Sequence, residues 1–304
     1  MLAPMQGITN RALRSLFVER YAPDIVFTEF ILVRSGAKRP VSKNDCREVS
    51  CDENRVPLIV QLIGSDTETL ITAAKTVQEL GAEHININLG CPYGRMAKKT
   101  AGGSLLRSPS LVAEILSNLR PHVRGSFSVK LRSGIEDSSE LPALVTLFED
   151  CGIDFIILHP RTVLQKYGGF ADHGVTAAVV KQSSLPIIAN GDIFTAEDGW
   201  KVLDQNGPAG LMLGRGAIAD PLLFERIRGR YDAVSSREKR REELKVYFLE
   251  LLKRYNELFC GDNQVLAKMK EVVSQVKDPD FRTTVQHLLK SKRIDRFMDV
   301  LENL

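Results

Sequence analysis

A cysteine on a predicted loop is the residue of this sequence that is best placed to do chemistry. Residues 84–88 alternate isoleucine with polar side chains, which predicts a buried strand. Gly90 and Pro92 then predict a loop around Cys91, and the glycine pair at 102–103 predicts a second tight turn. A cysteine is often just a small buried apolar residue. On a loop directly after a strand, however, we interpret this thiol as a reactive group.

Polar side chains also follow several other predicted strands. The residues at or just after strand ends are Gln61, Asn88, Cys91, Lys130, Arg132, His159, Arg161 and the run Asn190-Gly191-Asp192. Buried groups of this kind cost free energy unless each has a hydrogen-bond or charge partner. We therefore expect them to converge on a polar, anionic ligand. The alternative for any one of them is that it caps its strand or pairs with a neighbour.

The last two predicted strands carry a candidate phosphate site. Asn190-Gly191-Asp192 follows one strand, and Leu213-Gly214-Arg215-Gly216-Ala217 follows the next. Glycines and backbone N–H groups at the start of a short helix suit a phosphate, and an arginine adds charge. We therefore predict that Arg215 and the neighbouring glycines bind phosphate.

The elements that must position these residues alternate along the chain. The predicted strands are residues 2–5, 24–28, 57–62, 84–88, 127–131, 155–159, 186–189 and 210–214. Segments with helical spacing separate most of them, and the clearest are 66–80, 108–119, 139–150 and 195–203. Eight strands alternating with helices predict a (β/α)8 TIM barrel with a parallel sheet. The rival is a doubly wound open sheet, but Gln6-Gly7 is not the glycine-rich turn that usually follows its first strand.

The pattern becomes purely helical from about Ser235. Apolar residues such as Leu244, Phe248 and Leu251 recur at helical spacing, which predicts a small bundle of helices. We therefore predict two domains, a catalytic barrel over 1–234 and a helical domain over 235–304. The second contains 15 Lys or Arg against 12 Asp or Glu, so it holds the whole net charge of +3. This weakly favours a polyanionic partner, although solvated helix faces often carry such charge.

Composition excludes several classes of protein. The 304 residues are 43% hydrophobic and contain no apolar run long enough for a membrane span, and the N-terminus lacks the features of a signal peptide. We expect a cytoplasmic protein. The five cysteines, Cys46, Cys51, Cys91, Cys151 and Cys260, form no Cys-x-x-Cys pair. We therefore expect neither a disulfide framework nor a metal site.

Taken together, these motifs closely resemble the tRNA-dihydrouridine synthases over the whole chain, in the order and spacing of that family. They are Ala3-Pro4-Met5, Gln61-Leu62-Ile63-Gly64, Asn88-x-Gly90-Cys91-Pro92 with Gly102-Gly103, Val129-Lys130-Leu131-Arg132, His159-x-Arg161-Thr162, Ala189-Asn190-Gly191-Asp192-Ile193 and Gly214-Arg215-Gly216.

The resemblance implies an FMN-dependent enzyme that reduces the C5=C6 bond of a uridine in the tRNA D-loop, with NADPH restoring the flavin. It implies Cys91 as the general acid. It further implies that a set of strand-end residues and the N-terminal motif bind the cofactor. These are Ala3, Pro4, Met5, Gln61, Lys130, His159, Asn190, Gly191, Asp192, Gly214 and Arg215.

This assignment agrees with the chemistry. Hydride addition at uracil C6 builds negative charge at C5 and O4, so a proton donor must stand on the other face of the ring. A thiol, with an ordinary pKa of about 8.5, is protonated at neutral pH and can supply that proton. Lys130 would stabilise the reduced flavin. His159 could instead be a core histidine.

The substrate must be extruded from folded RNA, and we predict that Asn88 contacts the edge of the base. Arg132 and Arg161 are predicted to contact either flavin or RNA phosphate. Lys268 and Lys270 are candidates for tRNA phosphate contacts, as are Lys290, Lys292, Arg293 and Arg296. We expect a monomer.

Two other functions are open at this point. One is an FMN barrel acting on a small molecule, such as a dihydroorotate dehydrogenase, in which the cysteine works as a base. The other is a non-catalytic RNA-binding protein on an inherited barrel. The helical tail argues against the first, and the intact Cys91 and Lys130 argue against the second.

Overall fold

A parallel sheet with both faces covered forms the first part of the chain. The computed structural model describes residues 1–49, 56–92 and 101–304, so Cys51 lies outside the described residues. The strands are β1 (Val26–Phe27), β2 (Ile31–Leu32), β3 (Leu58–Ile63), β4 (His84–Leu89), β5 (Phe127–Arg132), β6 (Phe155–His159), β7 (Ile187–Asn190) and β8 (Gly210–Met212). Their order is β1-β3-β4-β5-β6-β7-β8, with β2 beside β3 and all pairs parallel. Their apolar runs are buried on both faces, as expected for a sheet enclosed by helices.

Leu2 closes this sheet into a barrel. It pairs in parallel with Val26 of β1 on one side and with Leu213, just after β8, on the other. The N–H of Leu2 donates to Ile25 O at 2.9 Å, and the N–H of Ala3 donates to Leu213 O at 2.8 Å. The predicted TIM barrel is confirmed, but the strand expected at 2–5 is only a bridge. Pro4 has no N–H, so it cannot extend the ladder.

Helices surround the sheet and continue beyond it. They are α1 (Arg11–Arg20), α2 (Lys43–Val49), α3 (Thr67–Glu79), α4 (Pro109–Leu119), α5 (Leu141–Asp150), α6 (His173–Gln182), α7 (Ala196–Asn206), α8 (Arg215–Ala219), α9 (Leu223–Ile227), α10 (Arg237–Leu258), α11 (Asp262–Val273), α12 (Arg282–Lys290) and α13 (Ile294–Glu302). Short 3-10 helices cover Gly102–Arg107, Arg120–His122 and Pro279–Phe281.

The predicted helix starts are explained by their caps. Asp66 accepts a hydrogen bond from Thr69 N at 2.8 Å before α3. Thr195 and Asp198 form a reciprocal capping box before α7. This last helix continues to Asn206, three residues past the predicted end, because its stop is Gly207 with φ of 64°. The other three predicted helices end within one residue of their predicted ends at 80, 119 and 150.

The C-terminal helices share a core with the barrel. The ring of Tyr247 in α10 makes edge contacts with Phe17 of α1 at 6.1 Å and with Tyr21 at 5.8 Å between ring centroids. Phe17 in turn contacts Phe224 of α9 at 6.3 Å. The predicted helical bundle is present, and its apolar faces join one buried cluster with α1. The domain boundary at 234/235 stays a prediction.

Two observations concern membrane spans and metal sites. Among the described helices, none combines the length and apolar character needed to cross a bilayer. Within the same residues, no group of three or more His, Cys, Asp or Glu side chains is arranged to hold a metal ion.

Tyr247→Phe should raise the free energy of unfolding by about 1 kcal/mol. The Tyr247 hydroxyl is buried and has no hydrogen-bond partner among the described residues, and burial raises its pKa well above the ordinary value. Removing the hydroxyl therefore removes an uncompensated desolvation cost. Urea denaturation followed by circular dichroism measures the change.

Tyr255→Phe is the matched control, since the Tyr255 hydroxyl accepts a hydrogen bond from Asn10 Nδ2 at 3.3 Å. This variant should lose stability. A loss of stability in Tyr247→Phe as well would show that the buried hydroxyl has a partner in solution.

Candidate active site

Asn88 fixes the loop that carries Cys91. Its Oδ1 accepts hydrogen bonds from the backbone N–H of Gly90 at 3.0 Å and of Cys91 at 2.9 Å. Arg132 Nε donates to Gly90 O at 3.1 Å. Gly90 also packs closely on β5, since a Cβ there would lie 3.3 Å from the Leu131 carbonyl carbon. The Cys91 backbone is thus held from two sides.

A chain of buried amides supports Asn88 from inside the barrel. Gln61 Oε1 accepts from Asn88 Nδ2 at 2.8 Å, and Gln61 Nε2 donates to Asn86 Oδ1 at 2.8 Å. Asn86 Nδ2 then donates to Ser128 Oγ at 2.8 Å. Gln61 was predicted to contact the cofactor, but it is fully buried and lines neither cavity described below. Its observed contacts support Asn88 instead, and its contact with a cofactor stays a prediction.

Cys91 lines an open cavity of about 350 Å³, here called the thiol cavity. Its walls come from the N-terminal loop, the ends of β4, β5 and β6, and the helical part. They are Pro4, Met5, Gln6, Ile8, Phe30, Asn88, Gly90, Cys91, Pro92, Lys130, Arg132, His159, Tyr167, Arg215 and Gln275. The parallel register explains part of this grouping, because Asn88 stands opposite Lys130 and Arg132 opposite His159.

A second cavity of about 80 Å³ adjoins the first and is here called the glycine cavity. Ten of the eleven predicted cofactor-binding residues line it, and Gln61 is the exception. The ten are Ala3, Pro4, Met5, Lys130, His159, Asn190, Gly191, Asp192, Gly214 and Arg215. The two cavities share six residues, namely Pro4, Met5, Lys130, His159, Tyr167 and Arg215. The geometry thus forms one continuous cleft at the carboxyl ends of the strands.

Lys130 is a half-buried amine that lines both cavities. Its Nζ donates to Asn190 Oδ1 at 2.9 Å, and Asn190 Nδ2 donates to Met212 O at 2.8 Å. Burial, together with the charge of Arg132, lowers the pKa of Lys130 to about 7, while Cys91 acts in the opposite direction. A neutral amide only partly compensates the desolvated ammonium. An anionic ligand would stabilise the charged form.

His159 is neutral in this site. Burial lowers its pKa to about 2, and the positive charges of Lys130, Arg132, Arg161 and Arg215 act in the same direction. Its Nε2 lies 3.2 Å from Arg161 Nη1. Because arginine can only donate, Nε2 accepts this bond and the proton sits on Nδ1. The ring therefore offers an N–H rather than a charge.

Arg161 and Asp192 form a buried ion pair beneath the glycine cavity. Arg161 Nη1 and Nη2 bond the two carboxylate oxygens at 2.9 and 2.6 Å. The other N–H groups of Arg161 reach Gly168 O, Gly169 O and His159 Nε2. All five N–H groups are thereby used, which leaves none for RNA phosphate. The predicted contact of Arg161 with substrate or flavin is untested, but its geometry supports positioning of Asp192 and of the 168–169 loop.

The carboxylate of Asp192 stays ionised. Burial raises its pKa, but the hydrogen bonds from Arg161 and from Ala171 N, with the charges of Arg161 and Arg215, outweigh this and lower it overall. Asp192 adopts a φ of 50°, in the left-handed region. Its Oδ1 also accepts from Arg215 Nη2 at 3.1 Å. Asp192 thus orients Arg215 at the cavity.

Two aromatic rings that the sequence analysis did not single out complete this wall. The Arg215 guanidinium lies 4.9 Å from the ring centre of Tyr167 and 5.3 Å from that of Phe194. Tyr167 also stacks against Arg132 at 5.3 Å. Both rings follow predicted strands, so a search for aromatic residues near strand ends could have found them.

Arg132 contacts the loop after β6 rather than open space. Its Nη1 donates to Thr162 O at 2.9 Å and to Lys166 O. Arg132 still lines the thiol cavity, so a contact with substrate there stays a prediction.

The two lysines predicted to bind tRNA have partners within the chain. Lys268 Nζ donates to Gly7 O at 2.9 Å and to Glu271 Oε2 at 2.9 Å. Lys270 Nζ donates to Ser291 O at the end of α12. The predicted contacts of both with RNA are untested, and Lys268 contacts the backbone of Gly7, between Gln6 and Ile8 of the thiol cavity.

Comparisons with known proteins identify the family of this chain. A family model described as dihydrouridine synthase (Dus) matches residues 1–302. The chain is 36% identical over 228 residues to the tRNA-dihydrouridine synthase B of Pseudomonas aeruginosa, covering 75% of this chain and 68% of that one. It is 38% identical over 226 residues to the protein of the same name from Proteus vulgaris, covering 74% and 69%.

Solved structures match the fold at lower identity. Histamine dehydrogenase from Rhizobium sp. 4-9 has a TM-score of 0.58 at 15% identity, over 80% of this chain and 46% of that one. A variant of NCR from Zymomonas mobilis has a TM-score of 0.54 at 14% identity, over 79% and 89%. At these identities the likeness concerns the barrel fold alone.

Asp192→Asn should lower the free energy of unfolding by about 3 kcal/mol at pH 7, because it leaves the Arg161 charge buried without its partner. The lowered pKa of Asp192 means that its contribution is present above the unfolded value of about 3.9. The difference between wild type and variant should therefore shrink as the pH falls below about 4. Urea denaturation across this pH range measures both effects.

Asp198→Asn is the control, since this carboxylate lies in the exposed capping box of α7. It should cost about 1 kcal/mol. Equal losses in the two variants would contradict a special role for the Arg161 pair.

Proposed function

The chain belongs to the dihydrouridine synthase family, and we propose that it reduces the C5=C6 bond of a uridine in the D-loop of tRNA. One observation carries the proposal: the Cys91 thiol and the Lys130 amine line the same cavity. We propose FMN as the cofactor and NADPH as the reductant that restores it.

The glycine cavity fits the phosphate and the ring edge of FMN. Gly191 allows the backbone to approach the site closely, since a Cβ there would lie 2.9 Å from both Ala171 Cβ and His159 Cδ2. At the other side, α8 begins at Arg215, where the first helical N–H groups lack partners within the helix. With Arg215 beside them, these groups supply charge and donors to a phosphate.

Lys130 and His159 supply the contacts for the ring. Lys130 would stabilise negative charge on the N1/O2 edge, and a ligand there would restore the charge that burial makes costly. His159 offers a neutral N–H donor. When bound, reduced FMN supplies a hydride to C6 of the uracil.

Cys91 donates the proton that completes the reaction. As C6 gains a hydride, the electron pair of the C5=C6 bond moves to C5, and the Sγ–H of Cys91 transfers its proton there. The product is 5,6-dihydrouridine and the sulfur becomes a thiolate. Lys130 lies close enough for its charge and that of Cys91 to affect each other, so it stabilises this thiolate.

Asn88 has two tasks in this scheme. Its Oδ1 holds the Cys91 loop, and one N–H of its amide reaches Gln61. We assign the second N–H to a carbonyl of the extruded uracil. Arg132, on the same wall, is a further donor for the base.

The helical part, residues 235–304, binds the rest of the tRNA. Lys290, Lys292, Arg293 and Arg296 are exposed near α12 and α13, where they can contact phosphates. Lys268 and Lys270 contribute positive charge to the same part. We further propose that the protein is a cytoplasmic monomer.

Cys91→Ala should retain FMN and NADPH oxidation but lose dihydrouridine formation by about a hundredfold or more, because only the proton donor is removed. The variant is expressed in a strain without its own dihydrouridine synthases, and tRNA is mapped by mass spectrometry. NADPH consumption by the purified protein measures the other half of the reaction, the reduction of the flavin.

Cys260→Ala is the control, since Cys260 is exposed and lies outside the cleft. It should restore dihydrouridine as the wild type does. Undiminished dihydrouridine in Cys91→Ala would remove Cys91 from the mechanism, and a wild-type protein that restores none would overturn the proposed function.

A further inference from the structure

The turn at Gly7 builds one wall of the thiol cavity. Met5, Gln6 and Ile8 line this cavity together with Cys91, and Gly7 between them has a φ of 83°. The left-handed conformation is one that glycine adopts without strain. The position of this turn therefore affects the space available to a stacked base.

Two ionisable side chains hold the Gly7 turn from opposite directions. The N–H of Gly7 donates to Glu29 Oε2 at 2.7 Å. The C=O of Gly7 accepts from Lys268 Nζ at 2.9 Å. Glu29 comes from the stretch between β1 and β2, whereas Lys268 lies on α11, 261 residues away from Gly7 in the chain. The turn is thus fixed between the barrel and the helical part.

Lys268 is itself oriented by its own helix. Glu271 Oε2 accepts from its Nζ at 2.9 Å, and the same oxygen would lie 3.0 Å from a Cβ at Gly7. The left-handed φ of 83° favours glycine at this turn, and the turn packs against the end of the Glu271 side chain. Charge-assisted hydrogen bonds of this kind are about twice as strong as neutral ones.

The same helix also reaches the cavity directly. Gln275 lies just beyond the end of α11 and lines the thiol cavity with Cys91. The α11 segment thereby acts on the cavity in two ways. Gln275, after the end of the helix, is a wall residue, and Lys268 holds the wall that Met5, Gln6 and Ile8 form.

We propose that Lys268 and Glu29 are positioning residues for the reduction of uridine, which hold the Gly7 turn so that the base stacks at the correct height beneath Cys91. This inference rests on the proposed function. The helical part is then a component of the reductive site as well as an anchor for tRNA.

Lys268→Met tests the proposal against a matched variant. Lys270→Met removes the same charge from the same helix, but Lys270 contacts Ser291 O rather than Gly7. Loss of electrostatic attraction to tRNA is therefore common to both variants and should appear in KM. Release of the turn is specific to Lys268→Met and should lower kcat for dihydrouridine formation at least roughly tenfold relative to Lys270→Met.

Two further measurements separate positioning from general damage. NADPH oxidation with FMN should be the same in both variants, since it does not require a stacked base. Lys268→Arg keeps a donor for Gly7 O and should recover most of the lost kcat. Equal kcat values for Lys268→Met and Lys270→Met, in a protein whose wild type forms dihydrouridine, would overturn the positioning role while leaving the proposed function intact.

Discussion

The concentration of positive charge at the carboxyl end of the barrel is the constraint that the site depends on. The buried Arg132 and Arg161 meet the half-buried Lys130 there, beside the neutral His159. The free-energy cost of removing these groups from water is compensated unequally for Arg161 and Lys130. Arg161 has a full set of acceptors, including both oxygens of Asp192, whereas Lys130 has a neutral amide partner. This difference separates a cation that maintains the fold from one that is available to an anionic ligand.

The location of the site could be predicted from the sequence because parallel strands bring their carboxyl ends to one edge. Ten of the predicted cofactor residues line one cavity for that reason. Individual roles could not be predicted as well. Whether Arg132 and Arg161 face ligand or protein depends on carbonyl groups of the loop at 162–169, whose conformation no local pattern determines. The Lys268 contact with Gly7 joins residues 261 positions apart, beyond the reach of any spacing argument.

Asn88 shows how a buried network determines the position of a reactive group. A loop after a strand has few backbone partners, so Cys91 could take many positions without an added constraint. Asn88 supplies that constraint by accepting hydrogen bonds from two N–H groups of the loop. Gln61 holds the Asn88 amide, and Asn86 in turn holds Gln61. Gln61 is thus important for the thiol even though it lines neither cavity. Preorganisation of this kind removes the cost of ordering the loop when a base enters.

The N-terminal segment connects the barrel closure to the cleft. Leu2 and Ala3 complete the barrel, since the N–H of Leu2 donates to Ile25 O and that of Ala3 to Leu213 O, and Pro4 then ends the ladder because it has no N–H to donate. A longer first strand would have carried residues 4–8 up along the sheet. Strand pairing stops at Ala3. As a result Pro4 and Met5 line both cavities, and Gly7 can extend to α11. The brief pairing at residues 2–3 therefore makes room for the cavity wall of Met5, Gln6 and Ile8, which the helical part holds through Lys268.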